Sequence, residues 1–341
     1  MCYDIKDERA NNKKERYYKM YLSKTQLDEI FNKCNKDSSC DITTEIEKAD
    51  IEAFVSKTGG SFGDYYHKRT LNKILNEGYK DENPRPHYSD GTPAHTISIN
   101  EVVSRYDLVK GECPILTLRP IAWKSSIKEI FWIYQMQSNK LEDLHKLGVK
   151  YWDYWNIGDD TIGKRYGGTV KEYDLMNKLL VGLEKEPYGR RHIIELWQVE
   201  DFKTPGLNPC CHMTTWNVRN DGITDTKYLD MELKQRSSDF ATSVSINELQ
   251  YVALLLMVAK HLGYTPGVFT HVITNTQIYD RHINQAKELI NRNPIPNKAQ
   301  LILDTDKTNF YDFTIDDFTL INYPLDEIKN TNPQLTFDLG I

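Results

Sequence analysis

Leu207-Asn208-Pro209-Cys210-Cys211-His212-Met213-Thr214-Thr215-Trp216 is the stretch on which the reading of this chain turns, and Gln235-Arg236-Ser237-Ser238-Asp239 and Asn247 answer it downstream. A cysteine behind a proline, followed by an arginine, an aspartate and an asparagine, supplies a nucleophile, a charge partner and a reader of hydrogen-bonding groups. Only the thiolate attacks, and an unperturbed thiol is about 3% ionised at pH 7, a fraction that a nearby guanidinium raises. Arg236 is the candidate guanidinium. Residues 228–234 alternate apolar and charged side chains and predict a strand that ends beside it. Residues 213–218 predict a neighbouring strand, with Asn220-Asp221-Gly222 as the turn, so a hairpin would bring Cys210 and Arg236 together. By composition alone a Cys-Cys pair is more often two small buried hydrophobes.

Outward from that stretch, the 341 residues are 27% charged and 39% apolar, enough to bury a sizeable core in one large domain or two ordinary ones. A net charge of −6 argues against gripping DNA by bulk electrostatics, so an anionic substrate would need a local arginine cluster. A basic-then-apolar leader pattern is not found, and the longest apolar run, residues 251–259, is about half the roughly 20 residues of a membrane span. Cys2, Cys34, Cys40, Cys113, Cys210 and Cys211 show neither disulfide nor zinc spacing. The expectation is a cytoplasmic protein without membrane, disulfide or metal.

Residues 1–61 are rich in Lys, Glu, Asp and Asn and predict a small, mostly helical extension, with helices over 23–34 and 43–55. A helix over 63–77 stops at Gly78. Residues 85–93 read as a loop and 96–106 as a strand. Residues 125–137 predict a helix that is apolar nearly all round. Most helical glutamates are solvated, but Glu129 lies among Trp132, Ile133 and Met136, where desolvation would raise its pKa. Arg190-Arg191 opens a strand predicted over 192–199. The longest helix, 246–262, has a capping-box pattern in Ser245 and Glu248 and a stop at Gly263, which puts Asn247 in its first turn. These patterns alone support a mixed helix-and-strand protein.

The order Leu207-x-Pro209-Cys210, then Trp216, then Gln-Arg-Ser-x-Asp at 235–239, then Asn247, then Gln277-Ile278-Tyr279 resembles the folate-dependent thymidylate synthase family. The resemblance runs over about residues 62–341, which it implies are the catalytic domain. It implies an α/β (mixed α+β) fold with a large mixed sheet packed against its twin in a homodimer and helices on the other face. The implied reaction is methylation of dUMP to dTMP. The co-substrate 5,10-methylenetetrahydrofolate would supply the one-carbon unit and hydride and leave as dihydrofolate. Cys210 would add to pyrimidine C6, Glu129 organise proton transfers, Tyr166 assist proton removal and Asn247 read uracil. Arg85, Arg236 and Ser237, with Arg190 and Arg191 from the other subunit, would hold the phosphate, and Ser238 would contact dUMP. Gln277 and Tyr279 would hold the ribose. Asp239 would face both nucleotide and pterin, and Trp152, Trp155, Leu207 and Gly340 would contact the folate. Gly340 belongs to Leu339-Gly340-Ile341, the implied closing segment, and residues 309–318 match a late strand region.

The chain departs from the family at Gln277, where histidine is usual, at Asn275, at Thr242-Ser243-Val244-Ser245-Ile246, and at Cys211. Spacing to Pro209 and Trp216 selects Cys210 over Cys211 as nucleophile. Two alternatives stand beside the synthase. One is a pyrimidine-nucleotide hydroxymethylase of the same fold, in which water rather than hydride would quench the intermediate; Asn247 argues for dUMP, because the cytidylate enzymes carry an aspartate there. The other is a non-catalytic RNA-binding paralogue.

Overall fold

Alternating apolar and polar residues over Thr96–Asp107, Cys211–Asn220, Lys227–Asp239 and Thr265–Tyr279 form the four long strands of a central sheet. The computed structural model describes residues 21–37, 39–338 and 340. Its elements run α1 (Lys24–Cys34), α2 (Ile42–Thr58), α3 (Phe62–Glu77), β1 (Tyr79–Lys80), β2 (Thr96–Asp107), α4 (Trp123–Ile130), α5 (Leu141–Lys146), α6 (Gly167–Glu172) and α7 (Leu175–Lys185). There follow β3 (Ile193–Glu195), β4 (Cys211–Asn220), β5 (Lys227–Asp239), α8 (Val244–Leu262), β6 (Thr265–Tyr279), α9 (Ile283–Asn291), β7 (Gln300–Leu303), β8 (Phe318–Ile321) and α10 (Leu325–Thr331).

The sheet order is β1-β2-β6-β5-β4-β3, and β7 pairs with β8 separately. Only β5 and β6 are parallel, which makes the large sheet mixed. A parallel pair cannot be closed by a tight turn. Here α8 makes the crossover, buried along most of its length and packed on α4 and the sheet. Ser61 and Asp64 form a capping box at the start of α3, and Gly263 ends α8 in the left-handed region at φ 69°. The long apolar α8 still falls short: no helix among the described residues is long and apolar enough to cross a membrane.

Several elements differ from their sequence patterns for local reasons. β5 runs on to Asp239, so Arg236 lies inside it, because β6 supplies a partner as far as Asp239↔Gln277. β3 stops at Glu195, whose carboxylate takes the Trp197 N–H at 2.8 Å and ends the ladder expected to reach 199. α8 starts at Val244, and the expected Ser245–Glu248 capping box is absent. Ser245 Oγ is buried without a partner, and Glu248 instead accepts from Tyr106 Oη at 3.1 Å. The helix carrying Glu129 ends as a π turn over Phe131–Gln135. The expected strand region over 309–318 is two short turns, capped by Asn309 and Thr314, before β8 begins at Phe318.

The expectation of no disulfide is also corrected: Cys34 and Cys40 are bonded. The chain reverses through Asp37, whose carboxylate accepts from Ser39 N at 2.9 Å and whose carbonyl accepts from Cys40 N at 3.0 Å. Both predicted helices of the extension form, as α1 with Ser23 as cap and α2 with Asp41 as cap. α2 packs on the core and α1 packs on α2. Phe54 is fully buried between the rings of Tyr21 and Tyr65, and buried Asp50 accepts from Leu22 N and Tyr65 Oη.

Candidate active site

Cys210 lies just before β4, where a bulge between Cys211 and Met213 shifts the register against β5. The predicted hairpin forms, and Arg236 Nη2 stands 3.4 Å from the Cys210 sulfur. The same guanidinium donates to the carbonyls of Pro209 and Asn208, both at 2.9 Å, so it is oriented by the two backbone carbonyls that lead into the thiol residue. Cys210 is half-buried. Burial is the largest influence on its thiol and pushes it above the ordinary range, while Arg236 and then Arg85 act against the rise. Cys211 is 5% exposed, and burial pushes its thiol well above the ordinary range. Of the two adjacent thiols, only Cys210 faces a guanidinium at contact distance.

Glu129 is 7% exposed, and burial raises its pKa as the sequence predicted; Tyr151, Trp152 and Gln250 act against the rise. Tyr151 Oη donates a short hydrogen bond to its carboxylate. Tyr166 Oη accepts the Cys210 N–H at 3.1 Å, and its ring packs edge-on to Trp152 at 5.2 Å. Tyr166 holds φ +48°, an uncommon conformation for an aromatic residue and one that accumulates at functional sites. Gly167 follows because a Cβ there would come within 2.1 Å of the Ser138 carbonyl. Trp152 is buried, Trp155 and Leu207 are half-buried, and the two indoles lie 5.1 Å apart.

On β5 and β6, Ser237 Oγ reaches Asn275 Oδ1 at 3.5 Å and Ser238 Oγ reaches Ser243 Oγ at 3.4 Å. Asp239 pairs in register with Gln277 and lies 3.5 Å from His282 Nδ1. Tyr279 Oη donates to the Gly340 carbonyl at 3.4 Å, so the tail reaches the end of β6; Leu339 and Ile341 lie outside the described residues. Arg85 is exposed on its loop yet near enough to influence both Cys210 and Tyr279. Arg190 and Arg191 are not brought to Cys210 within one chain. They are exposed and line a separate cavity of about 560 Å³ with Tyr188 and His192.

Comparison with known proteins agrees with this geometry. The family model described as thymidylate synthase matches residues 65–332. The chain belongs to the thymidylate synthase family. A thymidylate synthase of Streptococcus pneumoniae is 48% identical over 282 residues, covering 82% of this chain and 99% of the relative. One from Lactococcus lactis is 46% identical over 284 residues, covering 82% and 100%. The solved structure of thermostable thymidylate synthase A from Bacillus subtilis superposes with a TM-score of 0.74 at 35% identity, covering 82% of this chain and 99% of that one.

As a thymidylate synthase family member the chain is a methyltransferase, and its ligands are dUMP and the co-substrate 5,10-methylenetetrahydrofolate. These relatives support the synthase reading and neither alternative. The residues present suit a folate: Asp239 Oδ1 at the end of β5 is a buried acceptor without a hydrogen-bond partner among the described residues, and Trp152 and Trp155 form an indole wall. Sequence reasoning assigned Gln235 no role within its motif, and it missed Tyr151, Gln250, His271 and Arg119, which anchors the carbonyls of Ala241 and Thr242. For Gln250 and His271 the only signal was a polar residue at an apolar position of a helix or strand; Tyr151 and Arg119 lie in a turn and a bend and carried none.

Proposed function

We propose that this chain performs the reductive methylation of dUMP to dTMP through a covalent bond between the Cys210 sulfur and pyrimidine C6. What carries the reading is the half-buried thiol 3.4 Å from Arg236, with the buried Glu129 and Tyr166 near it. Addition of the thiolate to C6 makes C5 nucleophilic, and C5 takes the one-carbon unit from methylenetetrahydrofolate. Loss of the C5 proton, assisted by Glu129 and Tyr166, frees the folate nitrogen. Hydride from the same co-substrate then reduces the exocyclic methylene, and Cys210 departs as thiolate, leaving dTMP and dihydrofolate. Covalent attachment divides one hard substitution into easier steps. A carboxyl whose pKa lies above the usual range is better matched to proton transfer near neutral pH.

In this reading Arg85, Arg236 and Ser237 hold the phosphate together with Arg190 and Arg191 of a second copy, and Ser238 contacts dUMP. Asn247 reads the base, and Gln277 and Tyr279 hold the ribose. Trp152, Trp155, Leu207, Asp239 and Gly340 hold the folate. The enzyme is a homodimer of catalytic domains spanning 62–341, each with a helical extension over 1–61. It works in the cytoplasm, where the Cys34–Cys40 bond would stand reduced.

The test is mass spectrometry of the protein with 5-fluoro-dUMP and methylenetetrahydrofolate, beside an absorbance assay for dihydrofolate with dUMP. Cys210→Ser abolishes the covalent adduct and Cys211→Ser retains it. The reverse pattern overturns the assignment of the nucleophile.

A further inference from the structure

Behind the Cys210–Arg236 pair, Tyr106, Gln235, Glu248, Gln250 and His271 are polar side chains at most 4% exposed. Leaving such groups unpaired costs about 1–3 kcal/mol each, and most of their polar atoms are joined into one chain that runs through Asn247 to Gln250. Tyr106 Oη donates to Glu248 Oε2 at 3.1 Å, and His271 Nδ1 faces Glu248 Oε1 at 3.3 Å. His271 Nε2 faces Gln235 Oε1 at 2.9 Å. Gln235 Nε2 donates to the Ser237 carbonyl at 3.0 Å and to Asn247 Oδ1 at 3.2 Å. Asn247 Nδ2 donates to Gln250 Oε1 at 3.0 Å.

An amide can be flipped with almost no change of shape, so only its partners decide which end is which. The Ser237 carbonyl can only accept. It draws the Gln235 amino group to itself and leaves Gln235 Oε1 for an N–H of His271. That amino group then takes Asn247 Oδ1, which turns the Asn247 nitrogen toward Gln250 Oε1. Each end of the Asn247 amide keeps one free site, an N–H and a lone pair. Uracil presents a C4 carbonyl beside N3–H, whereas cytosine presents an amino group beside a bare N3. One amide orientation matches uracil, and the flipped amide matches cytosine.

We propose that His271 and Gln250 are positioning residues that hold the Asn247 amide from its two ends in the single orientation that accepts uracil and rejects cytosine. The proposal rests on the dUMP reading above. Gln250 Nε2 finds no partner with hydrogen-bond geometry among the described residues, although it helps to stabilise the Glu129 carboxylate from nearby. Gln250 thus stands between the base reader and the proton-transfer carboxyl.

The experiment uses the full chain and Gln250→Met, Gln250→Glu and His271→Phe, each checked for wild-type circular dichroism. It reads the KM for dUMP, kcat, and the inhibition constant of dCMP. Gln250→Met raises the KM for dUMP about tenfold, equivalent to about 1.4 kcal/mol, with a smaller change in kcat and no weakening of dCMP. His271→Phe moves the same way, so either variant suffices if the other fails to fold. Gln250→Glu keeps an accepting oxygen for Asn247 and recovers the KM. An unchanged KM, or a KM and dCMP constant that rise together as in a merely loosened pocket, overturns the proposal. A wild-type chain that makes no dihydrofolate from dUMP overturns the functional reading instead, and with it the basis of this one.

Discussion

Arg236 and Glu129 show how single residues set the chemistry. The Arg236 guanidinium favours the Cys210 thiolate and opposes the effect of burial. Removing the cation therefore raises the thiol pKa. In Arg236→Gln, the rate of Cys210 alkylation by iodoacetamide plotted against pH should shift to higher pH. A midpoint that stays in place would mean that the cation does not tune the thiol. For Glu129 the folded-state pKa lies above its ordinary 4.5, mainly through burial. Above that value the unfolded chain ionises while the native carboxyl keeps its proton, so stability falls as pH rises through the window between the two pKa values. Glu129→Gln removes this deficit. It should lower kcat by about 10²–10⁴-fold, the usual share of a general acid–base group. At the same time its melting temperature should exceed wild type by more at pH 7 than at pH 4. Calorimetry at the two pH values decides the matter, and an equal difference at both would refute it.

At the scale of elements, α2 binds the extension to the body of the fold. Phe54 is fully buried between Tyr21 and Tyr65, and close approach to Pro294 and Pro296 leaves no room for a Cβ at Gly60 or Gly59. Phe54→Ala should destabilise the protein by about 3–5 kcal/mol, the range for a truncated buried aromatic. Urea unfolding measures this, and a loss below about 1 kcal/mol would show that the extension is loosely attached. The extension's helices were legible because Ser23 and Asp41 cap them locally. The start of α8 was not. Ser245 and Glu248 carry a local capping signal, but Glu248 is claimed by Tyr106 and His271 from β2 and β6, so tertiary partners overrode the nearest-neighbour pattern. The length of β5 was likewise hidden, since it depends on β6 lying alongside.

For the whole molecule, Arg190 and Arg191 line a cavity apart from Cys210, and the proposed homodimer would carry them to the phosphate site of the second copy. Mixing Arg191→Ala chains with Cys210→Ser chains, each nearly inactive alone, should restore about a quarter of wild-type activity after subunit exchange. That is the binomial expectation: half the dimers are mixed, and each has one intact site. No recovery would place Arg191 outside the partner's pocket. The sequence by itself determined the mixed helix-and-strand class, the hairpin, the Cys210–Arg236 pairing and the burial of Glu129, because each follows from residues close in the chain or from the apolar period of one element. Only the tertiary structure decided that Cys34 meets Cys40, that Glu248 is claimed by Tyr106 and His271, and that His271 on β6 reaches Asn247 on α8 through Gln235 on β5. The disulfide depends on a loop reversal that the cysteine spacing does not record, and the other contacts join elements distant in sequence, where no local pattern records which side chains a parallel crossover will bring face to face.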